Sequence, residues 1–360
     1  MKTILTAALT TAALSCPVLG QSWTYIEQLI PEDASADASV IVGSTFGGSA
    51  RWTAAGGMQV FGTESRFGPR NRAEAVTADG TQIFGHDSNR NGRNIDRMYR
   101  WTGPGSFQSL GIFGAAERIK VNAASADGTT VVATASAGQG SLYQGCVWTA
   151  QSGFRSIPGV GSYSTAVAVT ADGSKIAGSR ATPNNREEAY VWSADTGITV
   201  LTTANTHTTQ AHDRSANGRF VAGSSFNARG HATLWTDTVS RSLGVLDNFV
   251  GSVALSVSDD GSIVTGYCSG LSGPVDPDRD EFVWTAEWGM LDLHVFLNRH
   301  GIEVPAGMYI NTVKVSADGR TLYGLSAFSA GSSGTFVATI PSPGSLMALV
   351  GLSWIPRRRR

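Results

Sequence analysis

The chain has 360 residues, 43 of them Gly and nine Trp, with 41% hydrophobic and 15% charged residues and a formal net charge of -1. Gly well above the usual ~7% and charge well below the usual ~25% suit many short strands and tight turns. The apolar share excludes disorder, and the lack of net positive charge or of a basic stripe interleaved with aromatics gives no pull toward nucleic acid. First in chain order, Met1-Lys2, the apolar run Ile4 to Leu14 and the small residues Val18 and Gly20 have the layout of a secretory signal ending before Gln21. The run is shorter than the ~20 residues that span a bilayer. The expectation is an exported body, residues 21–340, between a signal peptide at 1–20 and a tail at 341–360.

The body repeats one phrase seven times: Ser35-Ala36-Asp37-Ala38, Thr77-Ala78-Asp79-Gly80, Ser125-Ala126-Asp127-Gly128, Thr170-Ala171-Asp172-Gly173, Ser215-Ala216-Asn217-Gly218, Ser258-Asp259-Asp260-Gly261 and Ser316-Ala317-Asp318-Gly319. The spacing, 42 to 58 residues, fits one four-stranded propeller blade per copy. Four residues past the Asp or Asn stands an aliphatic residue, and six past it a Gly, with Ala133 the exception. Asp-Gly between short apolar runs predicts a hairpin with a type I′ turn. The Gly predicts close backbone approach. About 20 residues on, a third strand ends in Trp52, Trp101, Trp148, Trp192, Trp235 or Trp284, and a turn such as Gly153-Phe154 leads into an outer strand. Copy seven ends after its third strand at Ile340, whereas Trp23 to Leu29 is a spare strand at the start. Pairing the two closes the array without open edges. The fold class is therefore all-β, a β-propeller of seven four-stranded blades closed by the N-terminal strand.

With the hairpin Asn217-Gly218-Arg219-Phe220-Val221-Ala222-Gly223 before it, His231-Ala232-Thr233-Leu234-Trp235 resembles the HAF-type probable extracellular repeat. Glu188-Ala189-Tyr190-Val191-Trp192 and Glu281-Phe282-Val283-Trp284 are further copies. The insertion from Leu291 to Ile302 is similar to that family's last repeat, with Leu293, Phe296 and Leu297 spaced for a short amphipathic helix. The resemblance implies a propeller and an extracellular location; it brings no reaction or catalytic residue with it.

Candidate chemistry is sparse. The repeated turn residues Asp37, Asp79, Asp127, Asp172, Asn217, Asp260 and Asp318 are read as structural, because Asp and Asn hydrogen-bond the local backbone in turns. The blade-two insertion from His86 to Arg97 is rich in planar donors, and Arg90, Asn91, Arg93 and Asn94 are its candidate ligand-binding residues, suited to sugars, carboxylates or phosphates. His207, His212 and His231 lack a carboxylate or Cys at metal-site spacing. Asp276, Asp278 and Asp280 alternate on a blade-six loop and are candidate calcium ligands, calcium being the one cofactor that the residues suggest. Cys146 and Cys268 fall in blades that are not neighbours, which predicts two free thiols.

The tail carries Pro341 and Pro343, an apolar run to Ile355, and Arg357, Arg358, Arg359 and Arg360. It resembles the PEP-CTERM sorting tail of Gram-negative bacteria, with Ser342 where that tail has Glu and an apolar run of about 11 residues. The resemblance implies transient membrane retention, arginines inward, and removal by an exosortase-type enzyme. Without both ends, residues 21–340 hold 22 basic and 28 acidic residues, an acidic body. No GxSxG, HExxH or Walker motif occurs. On that ground the expected role is a non-catalytic exported propeller that is structural or binds an extracellular polysaccharide or surface protein. The alternatives are a carbohydrate-active lyase or hydrolase on the same scaffold and a calcium-dependent adhesin.

Overall fold

The structure, a computed structural model, describes residues 22–62, 71–89, 95–136, 143–184, 186–204, 208–227, 229–270, 279–329 and 331–340. Seven antiparallel sheets form the blades of a closed ring. In six of them four consecutive strands step outward from inner strands Ile30–Ala34, Arg72–Val76, Arg118–Ala124, Ser164–Val169, Thr208–Arg214 and Gly251–Val257. In the seventh blade the inner strand is split into Met308–Ile310 and Lys314–Val315. Its outer strand is Ser22–Glu27, paired antiparallel to Ser333–Thr339, so the start of the chain completes the last blade. A seven-residue helix, Leu293–Arg299, capped by Asp292, buries Leu293, Phe296 and Leu297 between the last two blades.

The register explains the repeat. Each aliphatic residue of a second strand stands opposite the third-strand Trp: Ile41 with Trp52, Ile83 with Trp101, Val131 with Trp148, Ile176 with Trp192, Val221 with Trp235 and Val264 with Trp284. These cross-strand pairs fill the space between blades. In blade seven the partner of Leu322 is only Ala338, and Trp23 of the closing strand, opposite Ala338 and stacked on Phe336 at 5.2 Å, supplies the missing ring. The repeated Gly is a contact requirement. A Cβ at Gly85 or Gly178 would lie 1.8 or 2.0 Å from the inner-strand carbonyl oxygen of Arg72 or Thr165, and under the hydroxyl of Tyr99 or Tyr190.

The turns depart from the expected type I′. Gly80, Gly128, Gly173, Gly218, Gly261 and Gly319 have φ of 69° to 75°, but the residue before each does not enter the left-handed region. The phrase is instead a type I turn followed by one left-handed residue. The cause is the side chain: Asp172 Oδ1 accepts from Thr170 Oγ1 at 2.6 Å and from the Ser174 N–H at 3.0 Å, so the Asp closes the turn in its right-handed form. Neighbouring turns are laced together by Ala36 N–H to Ala78 O, Ala126 to Ala171, Ala171 to Ala216, Asp259 to Ala317 and Asp318 to Ala36. Gln82 reaches Asp127 O and Asp259 Oδ1 accepts from the Ala216 N–H, which completes the circle.

This turn face is thus a uniform hydrogen-bonded rim. From the opposite face leave the connections between second and third strands and those from each outer strand to the next inner one; these vary in length from blade to blade. We call it the loop face.

Candidate active site

In six of the seven blades one inner-strand residue falls at a register shift: Glu32, Glu74, Asn122, Val167, His212 and Leu255. Such a bulge leaves a residue out of the ladder and re-aims its side chain. At the blade-two bulge this places Glu74, buried, between blades two and three. Its Oε2 accepts from the Val121 N–H at 2.9 Å and meets His86 Nδ1 at 3.0 Å. With the Glu74 oxygen accepting from the Val121 N–H, Nδ1 of the neutral ring is the donor to it and Nε2 the free position; Nε2 has no hydrogen-bond partner among the described residues. Burial opposes a charged imidazole here, but the hydrogen bond and charge of Glu74, with Asp96 beyond, outweigh it and leave the His86 pKa raised.

His86 lines a loop-face pocket of about 460 Å³ that spans blades seven, one, two and three. Arg72 and Arg118, the first residues of two inner strands, stand at its wall with Asn71, Ser88 and Asp96. Arg72 reaches Glu32 at 3.5 Å, Ser88 Oγ donates to Asp96 at 2.5 Å, and Arg118 has no ion pair among the described residues. Asn71, 5% exposed, donates to Gly62 O and leaves its Oδ1 without a partner. Phe46 stands at the rim, 92% exposed. A cationic wall, an imidazole oriented by a carboxylate, a spare buried acceptor and an exposed ring suit an acidic sugar: charge for its carboxylate, an acid or base for its protons, and an apolar face for its ring.

The axial channel, about 380 Å³, is a second polar space. Asp33, Asp213 and Lys314 occupy the same register level on three blades. Asp33 accepts from the Val76 N–H at 2.9 Å and Asp213 from the Val257 N–H at 3.0 Å, each stapling its blade to the next. Burial raises both carboxyls, Asp33 to about 6, against the pull of Lys314 and of these N–H groups. Lys314 in turn donates to Glu32 O. These contacts hold the ring.

The other candidates are scattered. Arg90, Asn91, Arg93, Asn94, Asp276, Asp278 and His207 lie outside the described residues, as do residues 1–20 and the tail from Pro341 to Arg360. Asp280 lies in the third strand of blade six, opposite Cys268. His212 faces the channel beside Ser224 with its pKa lowered to about 4 by burial, whereas His231 is two strands out in the same blade. Every repeated turn Asp, like Asn217, is occupied by its own turn, as at Asp79, Asp127, Asp260 and Asp318. Cys146 and Cys268 are free and buried, which pushes the thiols up to about 12 and about 11. No group of three or more His, Cys, Asp or Glu that could hold a metal ion occurs among the described residues. The blade-two insertion does border the pocket, through His86, Ser88 and Asp96; Glu74 and Arg118 had no motif to announce them.

No family model and no curated protein matches the sequence. Among solved structures, the chain is similar to oligogalacturonate lyase from Vibrio parahaemolyticus, with TM-score 0.62, 10% identity, and 88% of this chain and 92% of that one covered. It is also similar to an oligogalacturonate lyase in complex with manganese, at TM-score 0.59, 13% identity and 89% and 91% coverage. The propeller domain of the Trilobed protease from Pyrococcus furiosus matches at TM-score 0.58, 10% identity and 86% and 95% coverage. At such identities the likeness is one of fold. It nevertheless corrects the expectation of a non-catalytic structural or binding propeller, which rested on missing motifs. Propellers of this build over nearly nine-tenths of the chain include proteins named as lyases, so the lack of a linear motif is no ground against catalysis, and the carbohydrate-active alternative has the better support.

Proposed function

We propose that the protein is a carbohydrate-active enzyme, a lyase that cleaves a uronate-containing polysaccharide in the loop-face pocket. The observation that carries this is the His86–Glu74 pair beside Arg72 and Arg118. Arginine at the uronate carboxylate stabilises the charge that builds up when the neighbouring carbon loses its proton. That proton passes to His86 Nε2, Glu74 holding the ring and the imidazolium that forms. The electron pair becomes a carbon–carbon double bond, the glycosidic C–O bond breaks, and the departing oxygen takes a proton from solvent. The same carboxylate that orients the ring raises the His86 pKa and so makes it a stronger base. The named activity of the oligogalacturonate lyases of similar fold supports the same substrate class.

Incubation with polygalacturonate, alginate and a neutral glucan, followed by mass analysis, tests the reading. Elimination yields fragments that sum to the mass of the parent. Products heavier by one water per cut mark a hydrolase, and intact polymers under all conditions contradict the enzyme.

The signal layout at 1–20, the HAF-like repeats and the PEP-CTERM-like tail support export through the periplasm to the cell surface or medium, with removal of the tail by an exosortase-type enzyme. Mass measurement of the mature protein from the culture tests it: a start at Gln21 and loss of Arg357 to Arg360 are expected, and an intact Arg360 in the extracellular pool contradicts processing.

A further inference from the structure

Beyond the pocket, one aromatic pair on the loop face has no structural reason for its exposure. Tyr143 opens the third strand of blade three, and Tyr163 immediately precedes the inner strand of blade four. Their rings meet edge to face at 5.8 Å, yet they remain 38% and 50% exposed. Tyr163 also has φ of 59°, a region that bulky residues avoid and that glycine fills without strain. The other non-glycine residues there, among those described, are Gln28, Ala38, Asp237 and Asn248. A folding role would favour Gly at Tyr163, and burial does not compensate for the strain. Backbone strain held at an exposed side chain points to a use for that side chain.

The position suggests the use. Arg118 of the pocket pairs with Ser136, and Ser136 pairs with Tyr143. Tyr143 therefore stands two strands outward from Arg118, roughly 10 Å away by the ~4.8 Å strand spacing. On the other flank of the pocket stands Phe46. We infer that Tyr143 and Tyr163 form a second subsite, an aromatic platform that stacks a sugar ring of the same acidic polysaccharide as its chain leaves the pocket past Arg118. This rests on the reading of the pocket as a uronate site and deepens it, since the substrate becomes a polymer engaged over several residues.

The test uses the full chain and its Tyr143→Ala, Tyr163→Gly and Arg118→Ala variants, titrated with polygalacturonate and with digalacturonate. Tyr163→Gly is expected to keep or raise the melting temperature, because glycine relieves the strain. Each tyrosine variant is expected to weaken polymer binding roughly three- to tenfold, the range of an aromatic contact, with the disaccharide unaffected. Arg118→Ala is expected to weaken both ligands. Tyrosine variants that bind the polymer as the parent does overturn the platform and leave the pocket standing. Equal losses on polymer and disaccharide also overturn it, since the tyrosines would then act within the pocket. A parent protein that binds neither ligand, with no change in any variant, overturns the pocket reading and the platform with it.

Discussion

At the scale of single residues, two buried carboxylates make stability fall as pH rises, one by holding a protonated imidazole and the other by its own desolvation. The raised pKa of His86 means that its pairing with Glu74 stabilises the fold fully below the unfolded imidazole value, ~6.5, and that this contribution is lost as pH rises through the higher folded value. The stability gap between the parent and His86→Gln should thus be largest in mild acid and shrink above neutrality, as read by urea denaturation across pH. A gap that does not change with pH contradicts the pairing. Asp33 titrates at about 6 because the channel desolvates it. The folded state then binds more protons than the unfolded one between 3.8 and about 6, so stability falls as pH rises through that window and the penalty persists above it. Asn at this position can still accept from the Val76 N–H without the charge. Asp33→Asn should therefore raise the melting temperature at pH 7.5 and leave it unchanged near pH 3.5; a lower value at pH 7.5 would show that the charge opposite Lys314 is needed. Neither effect is legible in sequence, because burial of Asp33 and the Glu74–His86 contact both depend on where the inner-strand bulge falls.

At the scale of strands and turns, legibility follows periodicity. The aliphatic, Gly and Trp columns recur in nearly every copy, and each column marks a physical contact. What the Gly column shares is an inner-strand carbonyl oxygen 1.8 to 2.0 Å from where a Cβ would stand; rings at Tyr99, Tyr190, Phe282 and Phe336 add a second contact opposite Gly85, Gly178, Gly266 and Gly324, Gly43 and Gly223 face the smaller Ala50 and Thr233, and the exceptional Ala133 faces Cys146. Gly178→Ala should cost about 3 kcal/mol, the upper range for overpacking, because the new methyl meets both Thr165 O and the Tyr190 hydroxyl. Ala133→Gly should cost about 1 kcal/mol or less, the chain-entropy difference alone. Equal losses in denaturant titrations would contradict the close approach at Gly178. The turn type was misread because Asp-Gly is shared by two turn families, and the hydroxyl two residues earlier, present in all seven copies, is what selects the Asp-closed form. The pocket escaped detection for the opposite reason. Glu74 shares its bulge position with Glu32 of blade one and His86 has no counterpart in the other copies; the two lie 12 residues apart, on strands whose shared face appears only once the bulge is known.

At the scale of the molecule, the ring divides its labour. The turn face is a near-identical hydrogen-bonded rim, while the loop face carries the variation and the candidate chemistry, with the axial channel stapled between them. Closure by Ser22–Glu27 joins the two ends of the body, so Trp23→Ala should destabilise the whole ring by about 2 kcal/mol, below the ~3–5 kcal/mol of a fully buried aromatic since Trp23 is only partly covered. A single cooperative unfolding transition at lower temperature is expected; loss of blade seven alone, seen as a separate transition, would contradict closure as the source of cooperativity. The placement of catalysis on the loop face is tested most directly by the initial rate at which new unsaturated uronate ends, read by ultraviolet absorbance, appear when the full protein acts on polyuronate, compared with its folded His86→Ala variant. The account predicts measurable formation by the parent and a loss of at least a hundredfold in the variant, the ~10²–10⁴ share of a general base. No product from any polyuronate, or equal rates from both proteins, would contradict it.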